Sequence, residues 1–242
     1  MLGLKNRSKK KKLKLRLASM GRSLITISDS KSIISEQFRT IRTNIKFSIP
    51  DTDLKSILVT SSTPGEGKST NAANLGVVFA QEGKKVLIVD ADMRKPTLHH
   101  TFGIFNTVGL STVLSRQSEF NGAIQETPIV GLYVLPSGSI PPNPTELLSS
   151  KTFDSFLEEM KKNYDIIIFD APPLLSVSDA QVLSHKCDGT LLIIHSGVAE
   201  KGDVLKAQSI LNASQATIIG SILNNYKMPK NRKYYYQYYG GK

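Results

Sequence analysis

Ser61-Ser62-Thr63-Pro64-Gly65-Glu66-Gly67-Lys68-Ser69-Thr70 follows the apolar run Ile57-Leu58-Val59-Thr60 and precedes a helix-like run from Asn71 to Glu82. A strand, a glycine-containing loop ending Gly-Lys-Ser and then a helix make the layout of a phosphate cradle. Glycines let backbone N–H groups approach phosphate oxygens closely, and a helix start adds unpaired N–H donors at the positive end of its dipole. Gly65, Glu66, Gly67, Lys68, Ser69 and Thr70 are therefore the candidate nucleotide contacts. Lys68 is placed to reach the terminal phosphates, and the Ser69 hydroxyl to hold Mg²⁺. The pattern G-x-x-x-x-G-K-[ST] is met except at its first glycine, where Ser62 stands.

Outward from this loop, apolar runs alternate with helix-like runs. Strands are expected at Ser56–Thr60, Val86–Asp90, Leu132–Pro136, Asp165–Asp170, Thr190–His195 and Thr217–Leu223. Helices are expected at Lys68–Glu82, Lys151–Asn163, Asp179–Lys186 and Gly202–Asn212, with Gly83 closing the first. The strands are continuously apolar, as when helices cover both faces of a sheet. This predicts an α/β fold with a doubly wound, mostly parallel sheet, whose ligands bind at the carboxyl ends of the strands. Three carboxylates fall at such ends: Asp90 and Asp92 after Val86–Val89, and Asp170 after Ile166–Phe169. Each alone could be a turn residue or a helix cap. Together with the Gly-Lys-Ser loop they form a candidate Mg²⁺ site, since that ion is held by one or two carboxylates plus phosphates and water.

The chain has 242 residues, enough for one such domain with tails, and a net charge of +11 that is unevenly placed. Residues 1–22 hold nine Lys/Arg and residues 226–242 hold five, with no Asp/Glu in either stretch, whereas residues 23–225 carry a net −3. The basic character thus belongs to the ends, and a dedicated nucleic-acid-binding fold is not indicated. The expected organisation is a flexible basic tail over 1–27, a nucleotide-binding domain over 28–225, and a flexible tyrosine-rich tail over 226–242. Lys9-Lys10-Lys11-Lys12, followed by Leu13, Leu15 and Leu17 among further basic residues, suits an anionic membrane surface or a solvated tail. No apolar run is long enough to span a membrane, no secretory signal is read at the N-terminus, and the single Cys187 fits a reducing cytoplasm.

Phe38, Ile41 and Ile45 mark one face of a further helix, and Glu36, Arg39 and Arg42 another stripe at spacing three. The charged stripe reads either as an ordinary intrahelical pair or as a surface meeting a neighbouring subunit. At the other end, Tyr234-Tyr235-Tyr236-Gln237-Tyr238-Tyr239 gathers five of the eight tyrosines without core periodicity.

With these residues in hand, the chain resembles the bacterial tyrosine kinases, or BY-kinases, over about residues 30–225 and the tyrosine tail. Gly65–Thr70 is similar to that family's Walker A motif, Asp90-Ala91-Asp92-Met93-Arg94 to its Walker A′ motif, and Ile166–Pro173 to Walker B. Glu36-Gln37-Phe38-Arg39-Thr40-Ile41-Arg42 is similar to its E-x-x-R-x-x-R assembly motif. The resemblance implies a P-loop NTPase fold of the partition-ATPase-like class and a cytoplasmic protein-tyrosine kinase linked to capsule or exopolysaccharide production. It implies that ATP with Mg²⁺ phosphorylates protein tyrosines, including Tyr234, Tyr235, Tyr236, Tyr238 and Tyr239 of the chain itself. It assigns the metal to Ser69, Asp92 and Asp170. Asp90 is assigned to the tyrosine hydroxyl, with Lys68, Asp92 and Arg94 supporting the transfer, and Asn224 either to adenine or to a structural cap. It further implies a ring of unphosphorylated subunits through Glu36, Arg39 and Arg42. The basic start resembles the branch whose transmembrane activator is a separate protein, which would recruit the kinase to the inner face of the membrane.

The competing expectation is a partition or positioning ATPase that hydrolyses ATP to water. Those relatives carry a signature lysine in K-G-G-x-G-K-[ST], and Thr63 stands there in this chain.

Overall fold

The computed structural model describes residues 24–48 and 54–227. The runs with the highest strand propensity become its central strands. β1 (Ser56–Ser61), β2 (Val86–Asp90) and β5 (Ile166–Asp170) are each buried along their whole length. With β3 (Gln125–Glu126), β4 (Leu132–Leu135), β6 (Gly189–His195) and β7 (Ile218–Asn224) they form one sheet in the order β3-β4-β2-β5-β1-β6-β7. Every neighbouring pair is parallel except β3 with β4. The expected doubly wound, mostly parallel sheet is thus the observed one.

Alternation along the strands sorts the core into two layers. Leu58, Leu87, Val89, Ile167 and Phe169 point to one face. There they meet α8 (Lys151–Asn163), whose Phe153 ring lies 5.8 Å from that of Phe169 and 6.0 Å from that of Phe156. The same layer takes in Leu183 of α9 (Asp179–Lys186) and Leu211 of α10 (Lys201–Ala213). Ile57, Val59, Ile88 and Ile168 point to the other face, against α3 (Lys68–Gln81). At Gly76 that helix presses on the sheet so closely that a Cβ would lie 2.5 Å from Ile88 Cδ1. Gly83, at φ +90°, then turns the chain out of α3.

α3 is buried on nearly all sides because α1 (Ile25–Ser28) and α2 (Ile33–Ser48) cover its outer face. α2 turns Phe38 and Ile45 inward, with Ile41 partly buried, which is the face its periodicity predicts. The folded part starts earlier than the boundary read at residue 28. Leu24 and Thr26 are buried, and the Thr26 N–H and hydroxyl donate to Asn74 Oδ1 at 3.2 and 2.9 Å. A short apolar segment beyond a run of lysines carries too little periodicity to be read as packed.

The region between β2 and α8 also holds more structure than expected. It contains four short helices, α4 (Leu98–Phe102), α5 (Leu110–Leu114), α6 (Phe120–Ala123) and α7 (Pro144–Ser149), together with the antiparallel edge strand β3. Each is too short to show a period.

The parallel strands bring their carboxyl ends to one edge. The loop after β1, Asp90 closing β2 and Asp170 closing β5 meet there. Asp90 is the register partner of Asp170, and Val59 is its partner on the other side.

Candidate active site

The loop from Ser62 to Gly67 is held by its own acidic residue. Glu66 is fully buried, and its Oε1 accepts from the Ser62 hydroxyl (2.6 Å), the Thr63 N–H (2.7 Å) and the Thr63 hydroxyl (3.0 Å). Its Oε2 accepts from the His195 N–H at the end of β6 (3.0 Å). Burial pushes the Glu66 carboxyl up, but these four donors outweigh it and hold the group below the usual carboxylate range. The carboxylate therefore faces the protein interior, so only the backbone of Glu66 is left to meet a phosphate.

Gly65 and Gly67 lie at φ +84° and +95°, where a side chain is strained. Gly67 is the N-cap of α3, no side chain caps that helix, and its first turn has no acidic residue. The N–H donors at the start of α3 are thus left for an anion, the arrangement that binds phosphate. Asn224, the last residue of β7, donates from Nδ2 to Glu66 O at 2.8 Å. It lies so near that a Cβ on Gly67 would sit 2.2 Å from that nitrogen. Asn224 thus braces the loop.

A cleft of about 460 Å³ opens over this loop, lined among others by Gly65, Lys68, Ser69, Thr70, Asp92 and Arg94. Lys68 and Asp92 are nearly buried within it. Burial raises the Asp92 carboxyl, while the Lys95 N–H donating to Oδ1 at 3.0 Å and the Lys68 charge pull it back.

Asp90 lies beneath the cleft and does not line it. Its Oδ2 accepts from the N–H groups of Thr97 and Leu98, both at 3.0 Å, so it seats the start of α4. Its Oδ1 is buried without a hydrogen-bond partner among the described residues. Burial, with Asp170 alongside, drives the Asp90 carboxyl well above its ordinary range. An oxygen-rich corner of this kind fits a hard cation. Ser69 and Asp92 offer oxygens in the cleft, Asp90 and Asp170 stand below, and phosphate and water would complete the shell of an Mg²⁺ ion held there. Among the described residues no three His, Cys, Asp or Glu side chains converge as a metal cage, so phosphate oxygens would be part of the shell.

Arg94 is gripped by a residue that sequence reasoning missed. Its Nε and Nη2 donate to Asp179 Oδ2 and Oδ1 at 2.8 and 3.1 Å. Asp179 is fully buried at the start of α9 and also accepts from the Thr145 hydroxyl on α7. A forked guanidinium–carboxylate pair fixes orientation as well as charge. In the sequence, Asp179 reads only as an acidic helix start, 85 residues from its partner.

The charged stripe of α2 lies away from the cleft. Arg39 pairs with Glu36 and donates to Ser30 O, each at 2.5 Å. Arg42 turns inward, donating from Nη1 to Val78 O in the last turn of α3 (2.8 Å), with Nε 3.7 Å from Glu82. Within one chain, then, Glu36–Arg39 is the ordinary pair and Arg42 satisfies a helix end. The five clustered tyrosines from Tyr234 to Tyr239, and the basic stretch 1–23, lie outside the described residues.

Comparison with known proteins adds the family. Residues 54–202 match the AAA domain model AAA_31. The tyrosine-protein kinase YwqD of Bacillus subtilis (strain 168) is 50% identical over 229 residues, covering 95% of this chain and 96% of that protein. The putative tyrosine-protein kinase CapB of Staphylococcus aureus is 42% identical, covering 87% and 92%. Among solved structures, the chimerical protein CapA2B2 superposes with a TM-score of 0.82 at 42% identity, covering 91% of this chain and all of that one. The septum site-determining protein MinD of Pyrococcus horikoshii OT3, complexed with Mg-ADP, is more distant. It has a TM-score of 0.61 and 26% identity over 74% of this chain and 75% of that one. Partition-type proteins thus share the P-loop architecture. Identity sustained over nearly the whole length lies with the kinases, and the chain belongs to the bacterial tyrosine-protein kinase family.

Proposed function

We infer that the chain transfers the γ-phosphoryl group of ATP to protein tyrosines, with its own cluster Tyr234, Tyr235, Tyr236, Tyr238 and Tyr239 among the acceptors. The observation that carries this is the uncapped, acid-free start of α3 opening into one cleft with Lys68, Ser69, Asp92 and Arg94. In the transfer the bond from phosphorus to the β,γ-bridging oxygen breaks, a bond to the tyrosine oxygen forms, and the hydroxyl proton leaves. Catalysis of this kind rests on placing the acceptor in line and on stabilising charge.

In this reading Gly65, Gly67 and the first N–H groups of α3 hold the phosphates, and Lys68 stabilises the charge that moves to the leaving oxygen. Ser69, Asp92 and Asp170 hold Mg²⁺, directly or through water. That ion, when bound, would neutralise charge on the phosphates of the nucleotide. Asp90, with a buried acceptor oxygen and a raised pKa, takes the tyrosine proton once the acceptor reaches it. A tyrosine hydroxyl titrates near about 10, so it arrives protonated. Arg94, held by Asp179, faces the phosphates.

We further propose that the unphosphorylated subunits join head to tail through Glu36, Arg39 and Arg42, so that one tyrosine segment enters the next cleft. Heterologous contacts that close make rings. Each phosphotyrosine adds about −1.5 to −2 charges, and several on one basic tail would oppose that docking. Likeness to a chimerical CapA2B2 protein supports work with a second, activating protein. Among the described residues no helix is long and apolar enough to cross a membrane. A separate transmembrane activator, aided by Lys9–Lys12, is the proposed route to the inner membrane face and to control of capsule or exopolysaccharide synthesis.

The test is incubation with Mg-ATP, with and without a candidate activator's cytoplasmic segment, followed by mapping of phosphate by mass spectrometry. Phosphate on Tyr234–Tyr239 that vanishes in Lys68→Ala is expected. ATP hydrolysis with unmodified tyrosines in both conditions would overturn the kinase reading and favour a positioning ATPase.

A further inference from the structure

An acidic residue inside a phosphate loop is a physical puzzle, because its charge opposes that of the ligand. In this chain the charge is turned inward. The Glu66 carboxylate is saturated by Ser62, by both donors of Thr63 and by the His195 N–H, which lies 129 positions away. The backbone of the same residue is tied to a second strand, since Asn224 Nδ2 donates to Glu66 O. The two strand ends are themselves cross-linked. The Ser196 N–H donates to Asn224 O at 2.9 Å, and Asn225 Nδ2 lies 2.7 Å from His195 Nε2. Glu66 is therefore the junction between the phosphate loop and the ends of β6 and β7, on the side of β1 opposite Asp170.

We propose that Glu66 is a positioning residue that sets ATP affinity: its buried carboxylate holds the loop in the phosphate-binding shape before nucleotide arrives, without touching nucleotide itself. This rests on the reading of the cleft as the nucleotide site. The physical basis is preorganisation. A loop with two left-handed glycines and no side-chain cap has many alternative shapes, and ordering it during binding would subtract from affinity. Four donors converging on one carboxylate remove those alternatives in advance. Charge-assisted hydrogen bonds are the stronger kind, and their geometry requires an acceptor at both oxygens. Glutamine cannot supply this. Its amide presents N–H toward one of the two donor sets, so either the His195 N–H or the Thr63 N–H loses its acceptor.

The experiment compares the full chain with Glu66→Gln, Glu66→Asp and Lys68→Ala. Binding of a fluorescent ATP analogue, the melting temperature without nucleotide, and kcat and KM for ATP are measured on each. Glu66→Gln is expected to weaken ATP binding about tenfold and raise KM in step, with kcat at saturating ATP changed less than about threefold. Glu66→Asp is too short to reach both donor sets and should give a loss of similar size. A merely structural role would lower the melting temperature but leave the affinity of the folded protein unchanged. Unaltered ATP affinity in folded Glu66→Gln and Glu66→Asp would overturn the proposal, whatever their melting temperatures. If Lys68→Ala also binds the analogue as the parent does, the reading of the cleft has failed. If Lys68→Ala loses binding and the Glu66 variants keep it, only the role of Glu66 has failed.

Discussion

Asp90 and Asp170 end adjacent parallel strands in direct register, both fully buried, so the sheet presents two carboxylates side by side at the carboxyl ends of its strands. Two like charges in so little water are unfavourable, and Asp90 responds with a raised pKa. Such a corner is a poor choice for stability alone, and strain of this kind collects at working sites.

The first prediction follows from that conflict. Asp90→Asn keeps an oxygen for the Thr97 and Leu98 N–H groups and turns an N–H₂ toward the position of the unsatisfied Oδ1. The Mg²⁺-free variant should melt higher than the parent, by about 2–4 °C for each kcal/mol of repulsion relieved. Tyrosine phosphorylation should fall by about 10²–10⁴-fold, the usual size of a lost general base. Differential scanning calorimetry beside a phosphorylation assay checks both. A variant that melts lower and retains activity would contradict the reading of Asp90.

A second prediction concerns the fork between Arg94 and Asp179. Arg94 is about 41% exposed at its side chain, whereas Asp179 is wholly buried. The two halves of the pair are therefore unequal. Arg94→Ala leaves a buried carboxylate with the Thr145 hydroxyl as its remaining side-chain partner from this trio. It should cost about 2 kcal/mol, less than for a fully buried pair because solvent already reaches the guanidinium. Adding Asp179→Ala removes the stranded charge. The double variant should regain part of the lost stability in urea denaturation while phosphorylation stays as low as in Arg94→Ala.

How much of this was legible in the sequence depends on the range of each interaction. The loop after β1, the aspartates ending β2 and β5, and the inward face of α2 are local patterns, and each appears where its residues predict. Asp179 was not legible as the partner of Arg94 and of Thr145, nor His195 as a partner of Glu66. Those contacts join residues 85, 34 and 129 positions apart through the packing of whole elements. Leu24 and Thr26 were read as tail for a related reason. Thr26 is held by Asn74, on a helix 48 positions away, and Leu24 by the apolar layer that it joins.

The α2 stripe yields a third prediction, which separates fold from assembly. Arg42 meets a carbonyl at the end of α3, so Arg42→Ala should destabilise the monomer by about 1 kcal/mol. Glu36 and Arg39 form an exposed pair three residues apart, worth about 0.2–0.5 kcal/mol. The double variant Glu36→Ala/Arg39→Ala should melt within a degree or two of the parent. If these residues join subunits, sedimentation of that unphosphorylated variant should nonetheless shift from the oligomer to the monomer. An unchanged sedimentation profile would leave them as a simple intrahelical pair.

The last prediction is made at the opposite end of the sheet, where stability and activity are uncoupled. Asp188 precedes β6 and gathers the start of β1. Its Oδ2 accepts from the N–H groups of Lys55 and Ser56 at 3.1 and 2.8 Å and from the Ser56 hydroxyl at 2.9 Å. Its Oδ1 accepts from Lys161 Nζ at 2.7 Å. Burial alone would raise its carboxyl, but Lys161 and Ser56 outweigh burial and hold it below the ordinary value. A carboxyl with a lowered folded pKa binds fewer protons folded than unfolded. Its contribution to stability is therefore complete above the unfolded value of about 3.9 and is lost as pH falls through the folded one. Asp188→Asn should lower the melting temperature near neutral pH. The gap to the parent should begin to close below about pH 4 and vanish only once pH has fallen through the lowered folded value, below which both chains carry a neutral side chain at this position. Activity per folded molecule should be unchanged, because the nucleotide cleft lies at the other end of β1. A gap that stayed constant down to the acid transition would mean that the pairing of Asp188 with Lys161 and Ser56 contributes packing rather than charge.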